Sequence, residues 1–172
     1  MTFEGRMAIV TGAEQGIGRA VALDFAERGA ALLLADIQSA KVESVAAEIR
    51  GSGGKATATA VDVSDAGSVG EMVALTISEF GTIDILVNDA GGSGTEGILD
   101  IEDVSEDRWD AQVDLNLKRT FLCCKAVIPH MRSRGYGRIV NISSSTARGI
   151  LDRWARPASA CHTRPQRPAS SD

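Results

Sequence analysis

Short apolar runs alternate with longer amphipathic stretches along most of the chain, and this alternation constrains the fold more than any other feature. The apolar runs span residues 7–10, 31–35, 56–63, 83–88 and 137–142. Between them, apolar side chains recur at helical spacing over residues 17–28, 40–50, 66–80 and 103–134, the last of which is long enough for one long helix or two helices. Strict alternation of strands and helices predicts right-handed βαβ units and an α/β fold with a doubly wound parallel sheet.

A glycine-rich turn follows the first apolar run, with the sequence Thr11-Gly12-Ala13-Glu14-Gln15-Gly16-Ile17-Gly18. Glycines at a strand-to-helix turn let the backbone approach a pyrophosphate, which the N–H groups and the dipole of the helix N-terminus stabilise. A tight turn without a ligand would also explain three glycines. The strand before the turn and the helix after it favour a dinucleotide site.

Asp36 stands at the tip of the second predicted strand, 18 residues beyond Gly18. A carboxylate there can accept hydrogen bonds from both hydroxyls of an adenosine ribose and repels a 2′-phosphate. The sequence therefore favours NAD over NADP as the cofactor. The alternative is that Asp36 is only a solvated strand end.

The composition excludes several other classes of protein. The 172 residues are 44% hydrophobic, which suffices for one ordinary core. No stretch has the length and apolarity of a membrane span, and the first residues lack the layout of a secretory signal, so we expect a cytoplasmic protein without a membrane partner. A net charge of -5 disfavours nucleic acid as a partner. Three cysteines, two of them adjacent, predict neither a disulfide framework nor a metal site.

The C-terminal residues differ in composition from the rest of the chain. Residues 148–172 contain five arginines and two aspartates, and no Leu, Ile, Val, Phe or Met follows Leu151. Such a segment cannot bury enough apolar surface to offset its ordering entropy. We therefore predict an NAD-binding Rossmann domain over residues 1–150 and a disordered tail, rich in Arg, Pro, Ser and Ala, over residues 151–172.

Several motifs at the predicted strand ends make the chain similar to the short-chain dehydrogenase/reductase family. Residues 11–18 resemble the TGxxxGxG turn of that family, and Asp62-Val63 resembles its adenine-contacting pair. Residues 88–91 resemble its NNAG motif, with Asp89 in place of the second asparagine. The resemblance assigns the cofactor to Thr11, Gly12, Gln15, Gly16, Ile17, Gly18, Asp36, Ile37, Asp62, Val63, Asn88, Ala90 and Gly91.

Two further residues match the catalytic positions of the family. Asn116 is similar to the asparagine of its proton relay, and residues 137–144 resemble the fifth strand, which places the catalytic serine at Ser144. The resemblance covers residues 6–149 and implies strand order 3-2-1-4-5. Because family members have roughly 250 residues, it also implies that the sheet is incomplete on its C-terminal side.

The resemblance implies hydride transfer between a nicotinamide and the carbinol or carbonyl carbon of a small molecule. Substrates of the 3-oxoacyl reductase type, or sugar and cyclic alcohols, would fit. In the family a tyrosine acts as general acid and base, and a lysine four residues later lowers its pKa. Here no tyrosine follows Ser144, position 157 is a proline, and the last lysine is Lys125. The alternative function is therefore an inactive NAD-binding fragment.

The missing pair has two explanations that the sequence leaves open. Read from the third base of the His162 codon, the genetic code permits Tyr-Ser-Ala-Ser-Lys-Ala as far as Pro168, which matches the family's YxxxK motif. A frameshift would explain this, whereas a natural truncation would leave a genuine tail. His162 itself is a poor substitute base, because the tail has no core residues to position it. A third function, nucleic-acid binding through the Arg-rich tail, is disfavoured by the acidic body.

The remaining polar and bulky residues are expected to have structural roles. Cys123, Cys124 and Met131 are predicted to fill the core or an interface, Trp109 to be a packing residue, and His130 to be a polar residue near a helix end. The family is usually tetrameric through its long fourth and fifth helices and a C-terminal strand. Without an outer neighbour the fifth strand would expose an apolar edge, so we expect this chain to self-associate.

Overall fold

A computed structural model describes residues 2–92 and 101–143, which form one parallel sheet flanked by helices. The strands are β1 Met7–Thr11, β2 Ala31–Asp36, β3 Lys55–Ala60, β4 Ile85–Asn88 and β5 Arg138–Asn141. The helices are α1 Gly16–Glu27, α2 Ser39–Gly51, α3 Ala66–Phe80, α4 Glu106–Val113 and α5 Arg119–Arg134. The strand order is β3-β2-β1-β4-β5, and every pair is parallel. The predicted Rossmann-type order 3-2-1-4-5 is therefore confirmed.

Helices cover both faces of the sheet, which explains the continuous apolar runs of the inner strands. One core cluster contains Ala8, Val10, Leu32 and Leu34 together with apolar residues of α1 and α2. The other contains Ile9, Leu33 and Leu86 with residues of α3 and α5. Because neighbouring side chains in a strand point to opposite faces, β1 and β4 are buried at every position.

Local capping fixes the helix ends where the sequence predicts them. The Asp65 carboxylate accepts a hydrogen bond from the Ser68 N–H at 2.7 Å and caps the start of α3. The same helix ends at Gly81, whose φ of 74° only glycine adopts without strain. Ser105 caps α4 in the same way through the Arg108 N–H, at 3.3 Å.

Two expectations about local structure are corrected. The third strand ends at Ala60 and not at Val63; Val61 and Val63 are buried although they lie beyond the end of the β-ladder. Of the two possibilities for residues 103–134, the structure has two helices, which a π-helical turn, Asp114–Lys118, separates. A 3₁₀ turn, Ile101–Asp103, precedes α4. Trp109 is not a packing residue, since 62% of its surface is exposed.

Strand β5 differs from the inner strands in its exposure. Three of its four residues are exposed, and Val140 and the following Ile142 present 44% and 38% of their surfaces to solvent. Within the described residues only β4 pairs with β5. This matches the expected apolar edge, while self-association remains a prediction that sedimentation analysis can test. In the described part of the chain, no helix has the length and apolarity needed to cross a membrane.

Candidate functional site

A cavity of about 540 Å³ opens at the carboxyl ends of the strands, between the turns that follow β1, β2, β3 and β4. Its volume is in the range of small-molecule and cofactor sites. Its walls are formed by Gly12, Glu14, Gln15, Gly16, Ile17, Ala35, Asp36, Ile37, Gln38, Val61, Asp62, Val63, Asp89, Ala90, Gly91 and Arg119.

The turn after β1 packs so tightly against the turn after β4 that only glycine fits at two positions. A Cβ on Gly12 would lie 2.8 Å from the Ala90 nitrogen, and Gly12 has a φ of 68°. A Cβ on Gly18 would lie 2.3 Å from the Gly12 carbonyl oxygen. The Thr11 hydroxyl accepts hydrogen bonds from the N–H groups of Asp89 and Ala90, which locks the two turns together.

The N-terminus of α1 faces this cavity. Its N-cap residue, Gln15, makes no side-chain capping bond, and a Cβ on Gly16 would meet no atom within 4 Å. The backbone is therefore accessible at a helix end whose dipole favours an anion. These features fit the pyrophosphate of a dinucleotide.

Asp36 lies at the end of β2 and borders the same cavity. Its Oδ1 accepts a hydrogen bond from the Gln38 N–H at 2.9 Å, which fixes the side chain at the start of the β2–α2 turn. The carboxylate is half-buried, so it keeps contact with the cavity and with solvent. The geometry suits an acceptor for the ribose hydroxyls of an adenosine.

Two further carboxylates border the cavity and differ in their electrostatics. The hydroxyl and the N–H of Ser64 donate to Asp62 at 2.6 and 2.9 Å, and these bonds hold the pKa of Asp62 below its usual range. Burial raises the pKa of Asp89, and the nearby Gly18 N–H offsets part of that rise. Of these two carboxylates, Asp89 is therefore the one whose ionised form the site disfavours.

Asn116 lies in the π-helical turn between α4 and α5, beside the loop that follows β4. Its Oδ1 accepts from the Gly92 N–H and its Nδ2 donates to the Gly92 carbonyl, both at 3.2 Å. π-Turns inside helices occur frequently at functional sites. Ser144, the predicted catalytic serine, lies outside the described residues, so the structure does not place it relative to Asn116.

The structure brings most of the predicted cofactor residues to one cavity, but not all of them. Gly12, Gln15, Gly16, Ile17, Asp36, Ile37, Asp62, Val63, Ala90 and Gly91 border it. Thr11 and Gly18 do not border the cavity; they pack the turn after β1 against its neighbours. Asn88 is buried and donates to Asn141 Oδ1 at 2.9 Å, so it links β4 to β5.

Four polar wall residues were not predicted from the sequence: Glu14, Gln38, Asp89 and Arg119. Asp89 stood out only as a departure from the NNAG pattern. Glu14 occupies a position of the TGxxxGxG turn where the pattern allows any residue, and Gln38 lies in no motif. Arg119 follows Asn116 by one helical turn, which places both on one side of the helix, and this spacing was the signal available for it.

A second cavity of about 650 Å³ lies at the amino ends of the strands, so size alone does not identify the site. It is bordered by the last residues of α1 and α3 and by side chains of both charges, Arg6, Lys55, Glu27 and Glu79. Helix C-termini repel an anion, whereas the helix N-terminus at the first cavity attracts one. The cavity at the carboxyl end is therefore the candidate for a dinucleotide. In the described residues no three His, Cys, Asp or Glu side chains cluster as a metal site would require.

The parallel sheet and the glycine turn at a helix N-terminus define the Rossmann-type class of dinucleotide-binding folds. The short chain dehydrogenase family matches residues 6–156. The chain belongs to the short-chain dehydrogenase/reductase family of oxidoreductases.

Individual relatives agree with this membership. The BbsD subunit of (2S)-[(R)-hydroxy(phenyl)methyl]succinyl-CoA dehydrogenase from Thauera aromatica is 42% identical over 144 residues, which are 84% of this chain and 57% of that protein. D-threitol dehydrogenase from Mycolicibacterium smegmatis is 40% identical over 87% of this chain and 56% of its own. The solved structure of a 7α-hydroxysteroid dehydrogenase with NADH and 7-oxo glycochenodeoxycholic acid is 34% identical, with a TM-score of 0.79 over 86% of this chain and 56% of that one.

The chain therefore spans little more than half the length of these relatives. The shared part contains the sheet and the glycine turn described above. The complete members of this family are oxidoreductases that use NAD or NADP with small-molecule substrates.

Proposed function

We propose that this chain binds NAD(H) in the cavity at the carboxyl ends of the strands and forms the cofactor half of an NAD-dependent oxidoreductase. One observation carries this proposal: the uncapped N-terminus of α1 and the Asp36 carboxylate border the same cavity. The helix end suits a pyrophosphate, and the carboxylate suits a ribose with a free 2′-hydroxyl. The NADH in the related steroid dehydrogenase structure supports the same choice of cofactor.

A bound nicotinamide would supply the hydride acceptor for a secondary alcohol, or the donor for a ketone. The related threitol and hydroxysteroid dehydrogenases support substrates of this kind. In this chain Asn116 would order a proton-relay water and Ser144 would donate to the substrate oxygen, as the family resemblance implies. The Asn116 side chain is held toward the loop after β4 by Gly92 and Gln112, which is compatible with that role.

The proton transfer lacks a suitable group within the 172 residues. An unperturbed tyrosine has a pKa of about 10 and needs a nearby cation to act as a base at neutral pH. The only tyrosine is Tyr136, and Val140 stands four residues after it where the family has lysine. We therefore propose that the 172-residue chain binds the cofactor without turnover, and that oxidoreductase activity belongs to family members that supply both groups.

The proposal is tested by titrating the 172-residue chain with NADH and following nucleotide fluorescence. Saturable binding that weakens about tenfold in Asp36→Asn supports it, because one ribose acceptor loses its charge. Asp24→Asn is the matched control, since Asp24 is exposed and paired with Arg28 at the far end of α1. Absence of binding to the unaltered chain refutes cofactor binding. Reduction of NAD by this chain with a panel of secondary alcohols refutes the absence of turnover.

A further inference from the structure

Glu14 is the least expected side chain in the wall of the cavity. It is a carboxylate inside the glycine turn, yet its side chain is only 5% exposed. A buried carboxylate costs several kcal/mol unless it is paired and hydrogen-bonded. The geometry of the turn itself does not need this residue, because its tight contacts are made by Gly12 and Gly18.

The partners of Glu14 come from the neighbouring turn, between β2 and α2. Gln38 Nε2 donates to Glu14 Oε1 at 2.9 Å, and Lys41 Nζ lies 3.4 Å from Glu14 Oε2. The backbone N–H of Gln38 donates at the same time to Asp36 Oδ1. One residue therefore bridges the carboxylates of two different turns, and both carboxylates border the cavity.

Lys41 adds a cation next to Glu14, although Lys41 does not itself border the cavity. It stands in the first turn of α2, and its side chain remains 58% exposed although it pairs with Glu14. An ammonium group near the ribose would attract a 2′-phosphate. The ion pair with Glu14 cancels that attraction and holds the ammonium group toward the turn.

We propose that Glu14 is a second specificity-determining carboxylate, which acts with Asp36 to select an adenine dinucleotide whose 2′-hydroxyl is free. It does so in two ways: it anchors Gln38, which fixes Asp36, and it neutralises Lys41. This inference rests on the proposed binding of NAD(H) and extends it to residue positions that the family's cofactor motif does not specify. Asp36 alone would repel a 2′-phosphate, but Lys41 would oppose that repulsion.

The test compares the affinities of the 172-residue chain for NADH and NADPH. Glu14→Gln keeps the shape of the side chain and an oxygen that can accept from Gln38, but it removes the charge that holds Lys41. We expect NADPH binding to strengthen about tenfold, the effect of one charge at the edge of a partly solvated site, while NADH binding changes less than about twofold. Calorimetric titration with 2′,5′-ADP and 5′-AMP should show the same contrast, without any contribution from the nicotinamide.

Glu48→Gln is the matched control. Glu48 is also a glutamate of this half of the molecule and also forms an ion pair, with Arg19 at 2.6 Å, but it does not border the cavity. Glu48→Gln changes the net charge of the chain by the same amount as Glu14→Gln. We therefore expect the NADH-to-NADPH affinity ratio of Glu48→Gln to equal that of the unaltered chain.

Lys41 provides two further variants with opposite expectations. Lys41→Met leaves Glu14 without its cation, so NADPH binding should weaken severalfold. Glu14→Gln combined with Lys41→Met should lose the gain in NADPH affinity seen in Glu14→Gln alone.

If Glu14→Gln changes the affinities for NADH and NADPH equally, or changes neither, their ratio stays the same, the role of Glu14 is merely structural and the inference is overturned. If the unaltered chain binds neither dinucleotide, the proposed function itself fails. If it binds NADH but the variants leave the ratio unchanged, only the role of Glu14 fails.

Discussion

Two cavities of similar volume lie at opposite ends of the same sheet, and the polar groups at these two ends of the sheet are arranged in opposite ways. At the amino end, the buried Asp84 carboxylate accepts from the Met7 N–H at 2.9 Å and from Arg6 at 3.4 Å. The Arg6 guanidinium lies 4.1 Å from the centre of the Tyr136 ring, and Arg138 approaches the same ring. These groups lie at, or just before, the first residues of β1, β4 and β5, and they contact one another.

At the carboxyl end, the chain keeps features that cost stability. The N-terminus of α1 has no side-chain cap, and burial raises the pKa of the Asp89 carboxylate. Neither feature helps the chain to fold. The contrast indicates that the amino end holds the strands together, whereas the carboxyl end is arranged for a ligand.

Gly12→Ala should have the largest effect and would break the carboxyl end. The new Cβ meets the Ala90 nitrogen at 2.8 Å and the residue keeps an unfavourable φ, so we expect a loss of about 3 kcal/mol in the free energy of unfolding, together with loss of NADH binding. Gly81→Ala is the control, because Gly81 has a similar φ but no atom within 4 Å of the added Cβ. It should lose only about 1 kcal/mol. Equal losses in urea denaturation would contradict the prediction.

Asp84→Ala should weaken the amino end by about 2 kcal/mol, because the Met7 N–H is left buried without an acceptor. NADH affinity should stay unchanged, since Asp84 lies at the opposite end of β4. Asp24→Ala removes an exposed carboxylate paired with Arg28 and should cost less than about 0.5 kcal/mol. A loss of NADH affinity in Asp84→Ala would show that the two ends of the sheet are not independent.

The fold was predictable from sequence because apolar runs and glycine stops mark each element. One error arose where a residue is buried without belonging to a β-strand. Val61 continues the apolar pattern and its N–H still bonds to the Asp36 carbonyl, but the ladder ends at Ala60. The π-turn at Asp114–Lys118 was missed, because adding one residue to a helical turn leaves no clear mark in hydrophobic periodicity.

The site was predictable only as far as its motifs reach. Asp36 and the glycine turn could be found because their spacing along the chain reflects a fixed strand-turn-helix geometry. The pairing of Glu14 with Gln38 could not, because it joins side chains of two turns that are brought together only by the β1–β2 register. The amino-end cluster of Asp84, Arg6 and Tyr136 was missed for the same reason.

Tyr136→Leu should have a smaller effect than Asp84→Ala and would test the outer part of the amino-end cluster. It removes the ring that faces two guanidinium groups, at 4.1 and 5.0 Å, and should cost about 1 kcal/mol. Phe121→Leu is the comparison, because Phe121 is exposed and has a single cation, Lys125, at 5.7 Å. The difference between the two losses, measured by urea denaturation, should shrink at high salt. A loss in Tyr136→Leu no larger than that in Phe121→Leu would contradict this assignment.

Asp89→Asn should produce the smallest change and the most informative one, because it affects stability and binding in the same direction. Burial raises the pKa of Asp89 in the folded chain above its value of about 4 in the unfolded chain. Between these two pKa values the folded state binds more protons than the unfolded state. The free energy of unfolding therefore falls as the pH rises through this range, and the loss is complete at neutral pH. The asparagine does not titrate, and its side-chain oxygen can still accept from the Gly18 N–H. The variant should therefore be more stable than the unaltered chain at neutral pH and lose this advantage in acid.

Asp89→Asn should also bind NADH more tightly at neutral pH, because a negative charge beside the α1 N-terminus is gone. Urea denaturation and NADH titration from about pH 4 to about pH 8 check both expectations, and a stability difference independent of pH would show that Asp89 does not carry this cost.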